Sequence, residues 1–399
     1  GAGTVMIVGS HFEHITTTNQ STSYYMFGGP RLRGDDGVAM RVAGVVYWLH
    51  DDHLGSASLT TSITGTKVSE LRYLPFGETR WACGTAYTPC LSQGGKMEKR
   101  QLGKTGLMVT ALGFGAMEVR GPRVWGGRPV TDDQARTILN AVLDAGVNFI
   151  DTSYDYGRSE EFIGKFISRR RSEFYIATKC GCTLVDRGDH DETPHVWTRE
   201  NLLHNIETSL KRMRTDYVDL WQIHNAPVED VEKGNLIQVM EEVQRSGKAR
   251  WIGISSTLPH ISAYIQWGKF VSFQIPYSAL ERTHETIISD AAQSGAGTII
   301  RGGVARGAPD EAGLGNKDRW AIWDQAKLDE LRGPGESRTA FLLRFTLSHP
   351  HMHTTIVGTL IPEHLQDNVN AANAGPLPPD VYAEAKRRLD AVGEKPAGA

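Results

Sequence analysis

From residue 97 onward the chain alternates short apolar runs with longer amphipathic stretches. The runs at 111–115, 147–151, 174–179, 217–223, 250–255, 270–275, 297–301 and 353–358 have the length of buried strands. Helical spacing fills the intervals, as at 132–145 and 198–213. The second of these opens on Thr198 and repeats apolar Leu202, Ile206 and Leu210 at i, i+4 and i+8. Stretches 341–347 and 363–372 continue the pattern. Eight strand–helix repeats predict an α/β fold, a closed parallel (β/α)8 TIM barrel over 97–399, rather than an open sheet. An open dinucleotide-binding sheet normally carries G-x-G-x-x-G after its first strand; here Gly113 and Gly115 are followed by Ala116, Met117 and Glu118, without the third glycine.

Residues 1–96 read differently. They are rich in Thr, Ser, Gly and Tyr, with short β-prone runs at 45–49 and 67–74 and turn signals at Gly28, Gly29, Pro30, Thr64 and Gly65. Two or three hairpins are expected, a small β-rich or poorly ordered segment of marginal stability alone. The runs 47–56 (Tyr-Trp-Leu-His-Asp-Asp-His-Leu-Gly-Ser) and 70–80 (Glu-Leu-Arg-Tyr-Leu-Pro-Phe-Gly-Glu-Thr-Arg) resemble the RHS/YD-repeat family of secreted β-shell proteins. The likeness spans about residues 24–81, one or two repeats of a type that stabilises by stacking in long arrays. His50 and His53 belong to that wording and are not read as metal ligands. Met97 begins what reads like an independent protein, so 1–96 is expected to be a fused and dispensable remnant.

Composition narrows the classes. A net charge of -3 and a pI near 6.6 give no basic field for nucleic acid or anionic membrane. No apolar stretch approaches the roughly 20 residues that span a bilayer. The first ten residues lack the charged start and long apolar core of a signal peptide, which favours the cytoplasm. Four cysteines are too few for a disulfide scaffold, and Cys180 and Cys182 are read as packing thiols. The basic run Arg169, Arg170 and Arg171 is read as a solvated helix end.

Chemistry enters at the strand exits. The run 148–156 (Asn-Phe-Ile-Asp-Thr-Ser-Tyr-Asp-Tyr) delivers Asp151 at a strand end and Tyr156 in the next loop, 174–179 closes on Lys179, and 217–224 closes on His224. Singly these are a capping acid, a surface phenol, a snorkelling amine and a satisfied core imidazole. Together, from three successive strands at the rim where barrels carry their active sites, they suit proton-coupled chemistry.

These motifs, with 253–256 (Gly-Ile-Ser-Ser), 356–359 (Ile-Val-Gly-Thr) and the pair Asp367 and Asn368, resemble the aldo-keto reductase family over about residues 97–375. The resemblance implies reduction of an aldehyde or ketone by a nicotinamide cofactor, usually without metal. Tyr156 is then the general acid, Lys179 and Asp151 tune it, and His224 orients the carbonyl. An adjacent ammonium should lower the phenol's pKa from its ordinary value near 10, and the carboxylate lets that ammonium be buried.

The same resemblance places Ser255, Ser256 and Gln274 on the nicotinamide carboxamide and Arg301 at the ring-stacking position. Gly358, Thr359, His364, Asp367 and Asn368 fall at the adenosine end. That end lacks a Lys or Arg for a 2′-phosphate, so NADPH is expected with NADH a competitor. Loops 180–197, 225–232 and 302–335 should shape the substrate pocket. In them His190, His195, Trp197, Trp320 and Trp323 either line it or pin the loops. Two rival readings are a non-catalytic nicotinamide sensor on the same barrel and a metal-dependent hydrolase using His349, His351 and His353. Those three precede the last strand, on the stability face, so no residue is assigned to metal.

Overall fold

The computed structural model describes residues 97–305 and 317–398, together with the backbone of eight strands between residues 5 and 84. The chain divides into two compact units, Gly1–Gly94 and Gly95–Ala399. In the first, strands Val5–Ile7, Phe12–Ile15, Gln20–Tyr25, Val38–Val42, Val45–Asp51, Ala57–Ser62, Lys67–Tyr73 and Thr79–Gly84 pair in chain order as an antiparallel meander. That is more than the two or three hairpins expected from apolar runs. Gln20–Tyr25 and Ala57–Ser62 are mostly Ser, Thr and Tyr, so strand formation there lacks an apolar signature. The RHS/YD-like wording crosses residues 52–56 and 74–78, which lie outside the described residues, as do the side chains of the flanking strands.

The second unit is the expected barrel. Its strands are β1 (Leu112–Gly115), β2 (Phe149–Asp151), β3 (Tyr175–Cys180), β4 (Val218–His224), β5 (Ala249–Ser255), β6 (Ser272–Pro276), β7 (Gly297–Arg301) and β8 (Thr354–Val357). All pair in parallel, and β1 pairs with both β2 and β8, which closes the cylinder. Helices fill the intervals, starting where the sequence supplies caps. Before Asp132–Asp144, the Thr131 hydroxyl accepts from the Gln134 amide at 3.2 Å, and the Gln134 side chain accepts from the Thr131 amide at 3.0 Å.

A hairpin of Lys99–Gln101 against Met108–Thr110 plugs the lower end. Its Leu102, Leu107 and Val109 form one buried cluster with Phe149, Ala177, Leu220 and Ile299 from the strands. The hairpin turn presses so closely on the start of β7 that a Cβ at Gly103 (φ +52°) would meet the Gly297 nitrogen at 2.2 Å. With the base sealed by side chains, the opposite rim is where barrels of this kind carry their chemistry.

Outward-facing positions of the strands carry structural charge. The basic run at 169–171 is not simply a solvated helix end. Arg170 pairs with Asp144 at 2.9 Å, and Arg171 reaches the buried Asp219 at 2.6 Å with its guanidinium over the Tyr217 ring. Asp219 alternates with the lumen-facing residues of β4, so it points away from the barrel interior and collects Arg250 and the Ile176 amide as well. Among the described residues no helix is long and apolar enough to cross a membrane.

Trp320 and Trp323 are buried against each other at 5.4 Å, and Trp323 meets Phe341 edge-on at 5.5 Å. They pin Lys317–Gln325 to the helix Arg338–Leu347. The three histidines before β8 each face a different partner: His349 the Glu285 carbonyl, His351 the Ser289 hydroxyl, and His353 the Thr298 amide. That geometry does not make a ligand set. Burial depresses His349 and His353 to about 4 each. In the unfolded chain they titrate near 6.5. Stability should therefore fall as pH drops from about 6.5 towards about 4, because only the unfolded chain binds those protons. Urea midpoints at pH 7.5 and pH 5 check this, and a His349→Asn, His353→Asn double variant should show a smaller drop than the parent.

Candidate active site

Period-two alternation explains how the rim is furnished. Phe149, Ala177, Leu220 and Ile299 fill the lower lumen. The same strand faces continue upward to Asp151 on β2, Lys179 on β3, Gln222 and His224 on β4, and Arg301 on β7. Ser255 ends β5 beside His224, and Gln274 lies on β6 beside Ser255.

At the centre is a buried ion pair. Lys179 Nζ lies 2.6 Å from Asp151 Oδ2 and donates to the Thr152 carbonyl at 2.8 Å, with both charged side chains about 1% exposed. The other oxygen of Asp151 accepts from the Gln274 amide at 2.8 Å and the Gln222 amide at 3.3 Å. Burial alone would pull the Lys179 ammonium down. Asp151, aided by Tyr156 and Asp155, more than offsets that and holds it above its ordinary value.

The ammonium sits 4.9 Å from the centre of the Tyr156 ring. The expected lowering of the phenol by Lys179 is present but does not win. Burial pushes the Tyr156 phenol up, and Asp151 and Asp155 push the same way, so the group stays protonated well past neutral pH. Trp125, 47% exposed and held at φ +48° in the loop after β1, meets Tyr156 edge-on at 5.7 Å and forms an outer wall.

His224 stands across from the phenol, ring centres 6.3 Å apart and nearly perpendicular. Its Nδ1 faces two groups that the sequence did not assign to the site: Asp155 Oδ1 and Cys182 Sγ, each at 3.6 Å. Asp155 is buried, accepts a bond from the Ser153 hydroxyl, and leaves Oδ2 without a partner. Burial alone would raise its carboxyl, but bonds from His224, Ser153 and Cys182 hold it well below the usual range. Cys182 is not merely a packing thiol. Gly181, at φ +98°, turns the chain out of β3, so the expected strand alternation stops and Cys182 joins the site. Its sulfur lies 3.0 Å from His195 Nδ1, and burial together with the Asp155 charge pushes the thiol far up. His195 stacks on Trp197, whose indole donates to the His224 carbonyl at 3.2 Å. His190, by contrast, is exposed and faces Asp189.

The candidate cofactor residues divide. Ser255 is buried with its hydroxyl unpartnered, whereas the Ser256 hydroxyl reaches only the Thr257 carbonyl at 3.5 Å. Gln274 is not open on its amide side, since that NH2 is bonded to Asp151. Arg301 is half-buried at the end of β7. Past β8, the backbones approach so closely that a Cβ at Gly358 would meet the Gly115 carbonyl at 2.4 Å. The Thr359 hydroxyl accepts from the Ile361 amide at 3.0 Å and shapes the entry to the helix Pro362–Ala374. On that helix His364 and Asp367 are exposed and Asn368 is buried.

Gln222 was legible in principle. It lies two residues before His224 on a lumen-facing strand, so the pleat must aim both the same way. Asp155, Cys182 and Trp125 had no comparable signal, because each sits in a loop whose path depends on tertiary packing.

Known proteins point the same way. The family described as aldo/keto reductase matches residues 111–390. An uncharacterized oxidoreductase YqkF of Bacillus subtilis is 29% identical over 295 residues, covering 70% of this chain and 92% of its own. The L-galactose dehydrogenase of Arabidopsis thaliana is 28% identical, over 69% of this chain and 88% of its own. Among solved structures, the holo form of aldo-keto reductase AKR11C1 from Bacillus halodurans superposes with a TM-score of 0.65 at 29% identity, covering 73% of this chain and 96% of that one. With a matching family over most of its length and the barrel that family folds into, the chain belongs to the aldo/keto reductase family of oxidoreductases.

Proposed function

We propose that this protein reduces an aldehyde or ketone to an alcohol with a reduced nicotinamide cofactor, and that Tyr156 supplies the proton. The observation that carries this reading is the Lys179 ammonium held beneath the Tyr156 ring by Asp151 at the barrel mouth. Reduction of a carbonyl leaves an alkoxide that needs a proton as it forms. The protonated phenol is the donor, and the ammonium stabilises the phenolate left behind. Asp151, tied by Gln222 and Gln274 at one oxygen, holds the ammonium in place with the other. His224, facing the phenol, orients the carbonyl oxygen.

The rim fits a nicotinamide cofactor: Ser255 offers a buried hydroxyl with no protein partner, and the Gly115–Gly358 approach leaves bare backbone at the β1–β8 opening. When bound, the reduced nicotinamide supplies a hydride. Ser255, Ser256 and the carbonyl oxygen of Gln274 would hold its carboxamide, with Arg301 near the ring. Gly358, Thr359, His364, Asp367 and Asn368 would meet the adenosine end. NADPH is the family default. Residues 358–368 contain neither Lys nor Arg, so discrimination should be small. Values of kcat/KM for NADPH and NADH are expected to agree within about tenfold. A preference for NADPH beyond a hundredfold would contradict this account of the adenosine end.

We further propose that residues 1–96 are a fused β segment of RHS/YD-repeat type that the reductase does not need. An aldehyde and ketone panel, followed by cofactor oxidation, tests both readings when run on the full chain and on a chain beginning at Met97. Both should turn over alike. Tyr156→Phe should lose turnover by about 10²–10⁴-fold while still binding cofactor. Near-normal turnover of that variant would sink the proton-donor assignment. Cofactor binding without turnover of any carbonyl by the parent would favour the sensor reading. Resistance of residues 1–96 to proteolysis, with unfolding of the shortened chain, would refute their dispensability.

A further inference from the structure

We propose that Asp155, Cys182 and His224 form a binding site for one thiophilic divalent cation, with zinc as the reference ion, on the Nδ1 side of His224. The three residues offer a carboxylate oxygen, a sulfur and an imidazole nitrogen, all within 4.8 Å of one another. Zinc bonds of about 2.3 Å to sulfur and 2.0–2.1 Å to nitrogen or oxygen require ligand atoms roughly 3.5 Å apart in a tetrahedron. The structure has Cys182 Sγ and Asp155 Oδ1 each 3.6 Å from His224 Nδ1. Two edges of the ligand triangle thus have nearly the required length before any metal arrives, and the third is at most 4.8 Å.

The second oxygen of the same carboxylate is left unsatisfied. Asp155 is about 1% exposed, yet its Oδ2 has no hydrogen-bond partner. A buried carboxylate oxygen left unpaired is costly, and a cation held by both oxygens of Asp155 would satisfy it. Its charge, which disfavours a bare thiolate alongside, attracts a dication by the same field. Binding converts the Cys182 thiol to a thiolate and displaces its proton. His195 Nδ1, 3.0 Å from the sulfur, is placed to receive that proton and pass it towards solvent. One thiolate and one carboxylate then neutralise the dication, and the fourth position remains for water.

The scaffold is set in advance. The Trp197 indole fixes the His224 carbonyl, and the turn at Gly181 is packed so tightly that a Cβ there would meet Trp197 at 2.6 Å. A metal on Nδ1 also confines the neutral ring's proton to Nε2, the nitrogen on the other side of the ring. The site is distinct from the three histidines before β8. Nor does it depend on carbonyl reduction, because binding is read without turnover.

The test is titration of the metal-stripped full chain, in a Cys83→Ala, Cys90→Ala background, with cadmium by ultraviolet thiolate charge-transfer absorbance and with zinc by calorimetry. One equivalent should bind and produce the cadmium–thiolate band. Cys182→Ala should abolish the band, and Asp155→Asn should weaken zinc at least tenfold while circular dichroism shows an intact fold. Cys180→Ala should retain both signals. Should Cys182→Ala fail to fold, His224→Gln takes its place, with the same loss of zinc affinity expected. Absence of the band in the parent, or unchanged zinc affinity in Asp155→Asn or His224→Gln, overturns the proposal.

Discussion

An ammonium ion is buried at the mouth of this barrel, and the arrangement of the rim follows from the need to keep it charged. Removing Lys179 from water costs several kcal/mol unless an opposite charge and hydrogen bonds replace its hydration. Asp151 and the Thr152 carbonyl do so at 2.6 and 2.8 Å. The carboxylate then has its own lone pairs to satisfy, and Gln222 and Gln274 approach from two other strands to accept that duty. Four strands are thus committed to one pair of charges. Only a closed barrel brings β2, β3, β4 and β6 to bear on a single point.

The phenol sits within this field but is not governed by Lys179 alone. Burial and the carboxylates of Asp151 and Asp155 keep Tyr156 protonated, while the ammonium waits below the ring for the charge that would appear on proton loss. In the proposed reduction the arrangement would store a proton and stabilise its absence, as a general acid requires. His224 is held from behind by Trp197 at its carbonyl and faces Asp155 and Cys182 at Nδ1. Its ring faces that of Tyr156.

Much of this was legible in the sequence because strands have a two-residue period and barrels place function at one rim. All eight barrel strands fall within a few residues of the apolar runs, and Asp151, Lys179 and His224 occupy the expected exits. Gln274 lay at the rim as expected, yet its amide is bonded to a carboxylate, a cross-strand contact that one strand's pattern cannot show. Cys182 carried no such signal, because the turn at Gly181 takes it off the face that strand alternation would give it. Trp320 and Trp323, undecided between pocket and packing, proved to be packing, since whether an aromatic faces a pocket depends on a helix distant in the chain. The N-terminal meander exceeded expectation for a different reason: Ser- and Thr-rich strands carry no apolar signal.

The central claim is that the Lys179 charge beneath Tyr156 makes the phenol able to give up its proton. Single-turnover reduction of a reactive aldehyde by the Lys179→Met variant tests it most directly, with cofactor binding followed in parallel by fluorescence. The account predicts that cofactor still binds while the chemical step slows by about a thousandfold or more. A chemical step within a few-fold of the parent, in a variant that folds and binds cofactor normally, would contradict it.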